Sequence, residues 1–251
     1  MKKSKNLVAF TLAEVLITLG IIGVVAALTI PSLMNKTDDQ QTVVALKKAL
    51  SSLSQAFEMA VNENGTPETW GLTDDDSGLT LQLDILKPFL NVSKDCSAGG
   101  ITGCFPAGEI YYGLNKAPYL FVIDDAGHSL MLSDGTSIHT FMSIVPNCND
   151  SWGPSLALQN ICSAYLVDVN GYKKPNVLGK DTFIFWLTRY GIVPAGGDGD
   201  TGFNFSRCVD GSGEYGDSTS CAAWVIYNGN LDYLKCPDKL NAGWSGPHSC
   251  N

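Results

Sequence analysis

The chain has 251 residues, of which 45% are hydrophobic and 16% charged, and its formal net charge is −9. This length is enough for one large domain together with an anchoring segment. An acidic protein repels the phosphate backbone of nucleic acids, so the composition argues against nucleic acid as a partner.

The most informative segment is an apolar run over residues 7–34 that contains a single carboxylate, Glu14. A run of this length can cross a bilayer as a helix. A carboxylate inside such a helix costs about 2.5–3.5 kcal/mol on insertion scales, so we expect it to have a partner or a function. If the chain is cut between Ala9 and Phe10, the new amine lies one helical turn from Glu14. That geometry suits an ion pair between stacked subunits.

Four features together resemble the N-terminal segment of type IV pilins and type II secretion pseudopilins. They are the basic leader MKKSKNLVA, the Phe10-Thr11-Leu12-x-Glu14 start, the long apolar helix and Pro31 within it. The resemblance covers residues 1–34 closely and residues 35–64 in pattern. The family usually has Gly before the cut, and Ala9 keeps a small residue there. We expect Pro31 to kink the helix, because proline removes one backbone hydrogen bond.

The resemblance implies a pilin-like α+β fold and the role of a structural filament subunit. Residues 1–9 would be a leader, removed by a prepilin peptidase that also methylates the amine of Phe10. A long helix over 10–64 would follow, with 10–33 in the membrane or filament core and 34–64 amphipathic, before a globular domain at 65–251. The implied partners are other pilin or pseudopilin subunits, an inner-membrane assembly platform and, before assembly, membrane lipid. The implied location is the bacterial inner membrane, then a periplasmic or extracellular filament; pilus and pseudopilus stay open.

Two other interpretations of the same segment remain. An ordinary signal peptide would have its apolar core at 15–30 and be cut after Val25-Ala26-Ala27, and an uncleaved segment would be a plain anchor. Either would make the protein a secreted or membrane-tethered binding module or adhesin. The sequence shows no nucleophile elbow or isolated catalytic thiol, so we expect no enzymatic activity.

All eight cysteines lie beyond residue 95, and no two have the short spacing of zinc ligands. Disulfides in an oxidising compartment are the better interpretation. Eight cysteines allow 105 pairings, but their clustering favours short loops. The expected pairs are Cys96–Cys104, Cys148–Cys162, Cys208–Cys221 and Cys236–Cys250.

Periodicity predicts an antiparallel sheet packed on the long helix. Leu46, Leu50, Leu53, Phe57 and Val61 recur at helical spacing and form one apolar stripe. A short helix is expected over 79–90, ended by Pro88. Short strand-like runs follow, separated by the turn signals Asp124–Gly127 and Asp134-Gly135. The runs lie at 111–114, 119–123, 128–132, 137–141, 164–170, 222–227 and 231–234.

One loop could bind a cation. Asp168, Asn170, Asn176 and Asp181 carry side-chain oxygens around a Gly turn, and calcium takes six to eight oxygen ligands. The segment resembles the opening of calcium loops and a signature found in heads of pseudopilin-like proteins, where calcium is a known theme. The alternative is a turn-rich loop held by Asx hydrogen bonds alone. A second acidic run at 196–202 could also bind a cation, although an exposed flexible loop is the favoured interpretation.

Overall fold

The computed structural model describes residues 11–96, 103–105, 111–116, 118–119, 127–141, 145–210, 218–240 and 244–250. The fold is α+β, with an N-terminal apolar helix and an antiparallel sheet that has six strands within the described ranges. The chain divides into two compact units, Met1–Gln41 and Thr42–Asn251. We call the second unit the head.

Helices in the described residues begin with α1, which spans Leu12–Asn64. Its second part lies in the head and buries one stripe, where Leu46 and Leu53 are completely inaccessible to solvent. Small residues such as Ala49 and Ala56 lie on the same buried side and let the helix approach the core closely. The predicted apolar stripe is therefore confirmed. The other helices are α2 (Asp76–Leu86), α3 (Ser206–Asp210) and α4 (Ala222–Asn228), and short 3-10 turns occur at Pro67–Thr69, Lys87–Phe89, Thr219–Cys221, Asp232–Leu234 and Pro237–Lys239.

The strands of the main sheet are β1 (Val92–Asp95), β4 (Ser129–Leu132), β5 (Ser137–Phe141), β6 (Ile161–Asp168), β7 (Thr182–Thr188) and β8 (Gly191–Pro194). A separate pair consists of β2 (Tyr111–Tyr112) and β3 (Pro118–Tyr119). The main sheet is antiparallel throughout and has the strand order β1-β4-β5-β6-β7-β8. The predicted turn at Asp134-Gly135 joins β4 to β5, and Lys48 of α1 makes a 2.9 Å ion pair with Asp134.

Both faces of the sheet are covered. Phe183, Phe185 and Leu187 of β7 pack in the core that includes α1 and α2. The alternate residues Ile184 and Trp186 pack on the other side, among loop residues such as Phe105 and Phe203. Every residue of β6 and β7 is buried as a result. Strands buried on both faces appear in sequence as continuous apolar runs without alternation. That pattern explains why β7 was not predicted. Strand β8, whose burial alternates, was not predicted either.

The predicted strand at 222–227 is wrong, because these residues form helix α4. Gly229 follows the helix in a left-handed conformation, with φ of 65°, and its N–H donates to the carbonyl of Val225. Glycine is favoured in this position because a side chain there would be strained. The predicted strand at 231–234 is also wrong, because Asp232–Leu234 form a 3-10 turn.

Four disulfides hold the head, and all eight cysteines are among the described residues. The pairs are Cys96–Cys104, Cys148–Cys162, Cys208–Cys221 and Cys236–Cys250, the same four that the clustering favoured. Each closes a loop whose ends are 8 to 14 residues apart. Loops of this size stabilise a fold by about 3 kcal/mol in the chain-entropy view. Disulfides also indicate a compartment outside the cytoplasm.

Leu53→Ala should lower the free energy of unfolding of the head by about 2–5 kcal/mol, because it opens a cavity between α1 and the sheet. Val44→Ala on the same helix is the matched control, since Val44 is 67% exposed, and should change stability by about 0.5 kcal/mol or less. Urea unfolding with the disulfides intact measures both. Equal effects of the two substitutions would contradict the packing of this helix.

Candidate functional site

The first part of α1 is an apolar helix whose side chains are not buried by the rest of the described chain. Leu12–Ile30 has a mean hydropathy of 2.3, and none of it is buried among the described residues. Leu12 and Leu28 are 80% and 75% exposed. Nineteen residues make a helix of about 28 Å, close to the thickness of a bilayer core. By length and composition this segment could be a membrane anchor or a signal sequence.

Glu14 is bonded to the start of its own helix. Its carboxylate accepts hydrogen bonds from the backbone N–H of Thr11 at 2.9 Å and from the Thr11 hydroxyl at 2.7 Å. The backbone N–H of Glu14 donates to that hydroxyl in return, at 3.2 Å. This reciprocal arrangement is a capping box, which satisfies N–H groups that a helix start leaves free. The signal was present in the sequence as Thr11-x-x-Glu14, and the sequence interpretation missed it.

The predicted cleavage site and the predicted helix kink are the other features of the N-terminal segment. Ala9 and Phe10, the proposed cleavage and methylation positions, lie outside the described residues. Helix α1 continues through position 31, and the kink expected at Pro31 stays a prediction.

In the head, Asp168 and Asp181 anchor the predicted cation loop. Oδ1 of Asp168 accepts from the N–H groups of Asn170 and Gly171, at 3.0 and 2.8 Å, and its Oδ2 accepts from the Tyr111 hydroxyl at 2.8 Å. Asp168 lies at the end of β6, and Asp181 immediately precedes the neighbouring strand β7. The topology therefore brings the two carboxylates to one end of the sheet.

The carboxylate of Asp181 accepts hydrogen bonds from residues on both sides of the loop. The N–H groups of Asn176 and Val177 donate to it at 3.0 and 2.6 Å, and the side-chain amide of Asn170 donates at 3.2 Å. All four predicted ligand residues are thus joined by direct hydrogen bonds. The side-chain oxygen Oδ1 of Asn170 is buried and has no hydrogen bond among the described residues.

The electrostatics of the loop are unfavourable for two negative charges. Burial raises the pKa of Asp168 to about 7, and the charge of Asp181 adds to the increase. Burial also raises the pKa of Asp181, although its backbone hydrogen bonds oppose the change. Two buried carboxylates that disfavour each other's ionisation retain a proton or attract a cation.

The second acidic run is different from the expected exposed loop. Asp198 is exposed, but Asp200 is buried and accepts from the indole N–H of Trp186 at 2.8 Å. It also accepts from the N–H groups of Gly196 and Phe203, at 3.0 and 2.8 Å. Asp200 therefore fixes its own loop against β7.

A further cluster, which no sequence pattern indicates, lies around His128. Ligand atoms of Asp84, Asp95 and His128 lie within 4.8 Å of one another, so the cluster could hold a metal ion. His128 is completely buried, and its Nε2 lies 2.7 Å from Asp95 Oδ1. Lys87 already supplies a positive charge, with Nζ 2.6 Å from Asp95 and 3.4 Å from Asp84. Only the fold brings α2, β1 and β4 together here.

Asp168→Asn should flatten the pH dependence of stability. A carboxyl whose folded pKa is raised stabilises the fold fully below its unfolded pKa near 3.8, and that contribution is lost as pH rises through about 7. The wild-type protein should therefore lose free energy of unfolding between pH 4 and 7 in excess of the variant. Urea unfolding across this range measures the difference, with the exposed Asp198→Asn as control. Identical slopes for wild type and Asp168→Asn would contradict this electrostatic account.

We compared the chain with known protein families, curated proteins and solved structures. No protein-family model, no curated protein and no solved structure matches the chain. The resemblance to pilins and pseudopilins rests on residues of the N-terminal segment.

Proposed function

We propose that the protein is a structural subunit of a helical filament, either a type IV pilus or a type II secretion pseudopilus. The observation that carries this proposal is the continuous helix α1, whose first part is apolar and exposed on all sides. Exposed apolar area of this extent requires a cover of lipid or of other protein. Its second part changes to a single buried stripe in the head. A helix with these two parts suits a subunit that leaves a membrane and enters a bundle.

In this proposal the apolar part of α1 has two successive environments. Before assembly, lipid of the inner membrane covers Leu12–Ile30. After the cut between Ala9 and Phe10, the same surface packs against the helices of neighbouring subunits. Gly20 and Gly23 permit close approach of helices, as small residues do in membrane bundles. Burial of each Leu or Ile side chain contributes about 1.5–3 kcal/mol in either environment.

Glu14 supplies the specificity that apolar packing lacks. In the filament its carboxylate pairs with the Phe10 amine of a neighbouring subunit, and mispositioned subunits leave a buried charge without a partner. Such an uncompensated charge costs about 3–5 kcal/mol. The capping box with Thr11 holds the carboxylate at the start of the helix, close to where the new amine is created.

A second candidate is a secreted binding module or adhesin. It is favoured by the position of the apolar helix near the N-terminus, where signal sequences also occur. In that case the helix is discarded and the disulfide-linked head acts alone.

Glu14→Gln should prevent incorporation into fibres, while Thr11→Ala should permit it. Glutamine keeps an oxygen that can cap the helix but removes the charge that the amine needs. Thr11→Ala keeps the carboxylate and removes the hydroxyl of the capping box, at a cost of about 0.5–2 kcal/mol. The measurement is the ratio of labelled subunit in purified fibres to that in membranes, which should fall at least about tenfold for Glu14→Gln.

The two substitutions separate pairing from capping. Normal incorporation of Glu14→Gln would contradict the ion pair. An equal loss for both variants would show that capping of α1, rather than the charge of Glu14, controls assembly.

We further propose that the Asp168–Asp181 loop binds calcium. Support comes from the two buried carboxylates and from the buried Oδ1 of Asn170, which has no hydrogen bond among the described residues. A half-turn of the Asn170 amide would direct that oxygen towards Asp181. The residues thus fit an oxygen-coordinated cation.

Calcium should raise the melting temperature of the protein relative to a chelator, and more strongly at pH 8 than at pH 6, because protons compete for Asp168. Calcium that binds only the folded state stabilises the protein by about 2.7 kcal/mol when its free concentration is a hundred times Kd. Asp168→Asn should abolish the increase. Loss of the increase in Asp84→Asn instead would assign the ion to the cluster around His128, and an unchanged melting curve would leave the loop as a hydrogen-bonded turn.

A further inference from the structure

A cavity of about 470 Å³ opens beside helix α4 in the head, away from the features that support the filament proposal. Its lining includes the aromatic residues Tyr227, Trp244 and His248 and the polar residues Asp198, Asp200 and Asn228. Pockets that bind small molecules have this size and this composition, with a largely apolar lining and a few polar groups.

The aromatic rings form a corner. The rings of Tyr227 and Trp244 have centroids 6.0 Å apart and planes at 78°. The rings of Trp244 and His248 are also 6.0 Å apart, at 68°. Tyr227 is 64% exposed although it is a large aromatic residue. Aromatic faces carry partial negative charge and attract cations.

The corner is held in place before any ligand arrives. The indole N–H of Trp244 donates to the carbonyl of Gly196 at 3.1 Å, and the disulfide Cys236–Cys250 closes the segment that carries Trp244 and His248. Trp244 has a φ of 60°. That conformation is costly for a large side chain and persists only where the surroundings fix it. A site fixed in this way loses little entropy on binding.

The polar residues of the lining favour a positively charged occupant. Asp198 is exposed and lines the cavity, so its negative charge attracts a cation. Asn228 also lines the cavity, although its Nδ2 atom is buried.

We propose that this cavity binds a quaternary ammonium group, as found in choline-type compounds. The cation lies in the corner of Tyr227 and Trp244, where cation–π attraction is available, and its charge is balanced by Asp198. The net charge of −9 favours a cation at this surface as well. The proposal does not depend on assembly into a filament.

Titration of the full-length protein with choline, in a nonionic polyoxyethylene detergent, tests the proposal by calorimetry. Two analogues separate the contribution of the charge from that of the hydroxyl group. 3,3-Dimethylbutan-1-ol has the shape and the oxygen of choline without the charge, and tetramethylammonium has the charge without the oxygen. We expect both cations to bind more tightly than the neutral alcohol. Glycerophosphocholine distinguishes the sources, since tighter binding than choline indicates a lipid headgroup and weaker binding a free choline-type molecule.

Asp198→Asn and Tyr227→Ala should each weaken choline binding about threefold to tenfold, as expected for loss of one charge or one aromatic face. Tyr190→Ala is the matched control, because Tyr190 is 52% exposed and does not line the cavity. Asp198 and Tyr227 are exposed, so neither substitution should unfold the head. Equal binding of choline and the neutral alcohol, unchanged binding in both variants, or no saturable binding of choline would overturn the proposal.

Discussion

Burial of apolar surface is the constraint on which the rest of the molecule depends. Leu12–Ile30 exposes apolar side chains around the whole helix, and none of this segment is buried among the described residues. The same helix continues into the head with apolar residues on one side only, against the sheet and α2. A helix that is covered on all sides needs apolar residues all round. A helix that covers one core needs them on one side only. Four disulfides then hold the loops of a head whose stability cannot draw on that apolar segment.

Features set by local chemistry could be predicted from the sequence. The stripe on α1, the helix that ends near Pro88 and the turn at Asp134-Gly135 each depend on a few neighbouring residues. The four disulfide pairs followed from the clustering of cysteines, because nearby cysteines need only short loops to meet. The grouping of Asp168, Asn170, Asn176 and Asp181 was also visible, since the chain folds back within fourteen residues.

Features set by the tertiary environment could not be predicted. Strand β7 has no alternation because both of its faces are buried, and an apolar run of that length is equally compatible with a helix. Conversely, residues 222–227 were predicted as a strand and form helix α4. Residues of the cluster around His128 and of the aromatic corner are far apart in sequence and meet only through the fold. By contrast, the capping box joins Thr11 and Glu14, which are only three positions apart, so it could have been predicted from the sequence.

The mature N-terminus is the measurement that tests the account most directly, because it determines whether the apolar helix stays with the head. Intact-mass analysis and N-terminal sequencing of protein from the membrane and from shed fibres would identify it. We expect a chain that begins at Phe10, with a methyl group on its amine. A chain that begins at Leu28 would contradict the filament proposal, because the helix proposed for the filament core would have been removed as a signal peptide.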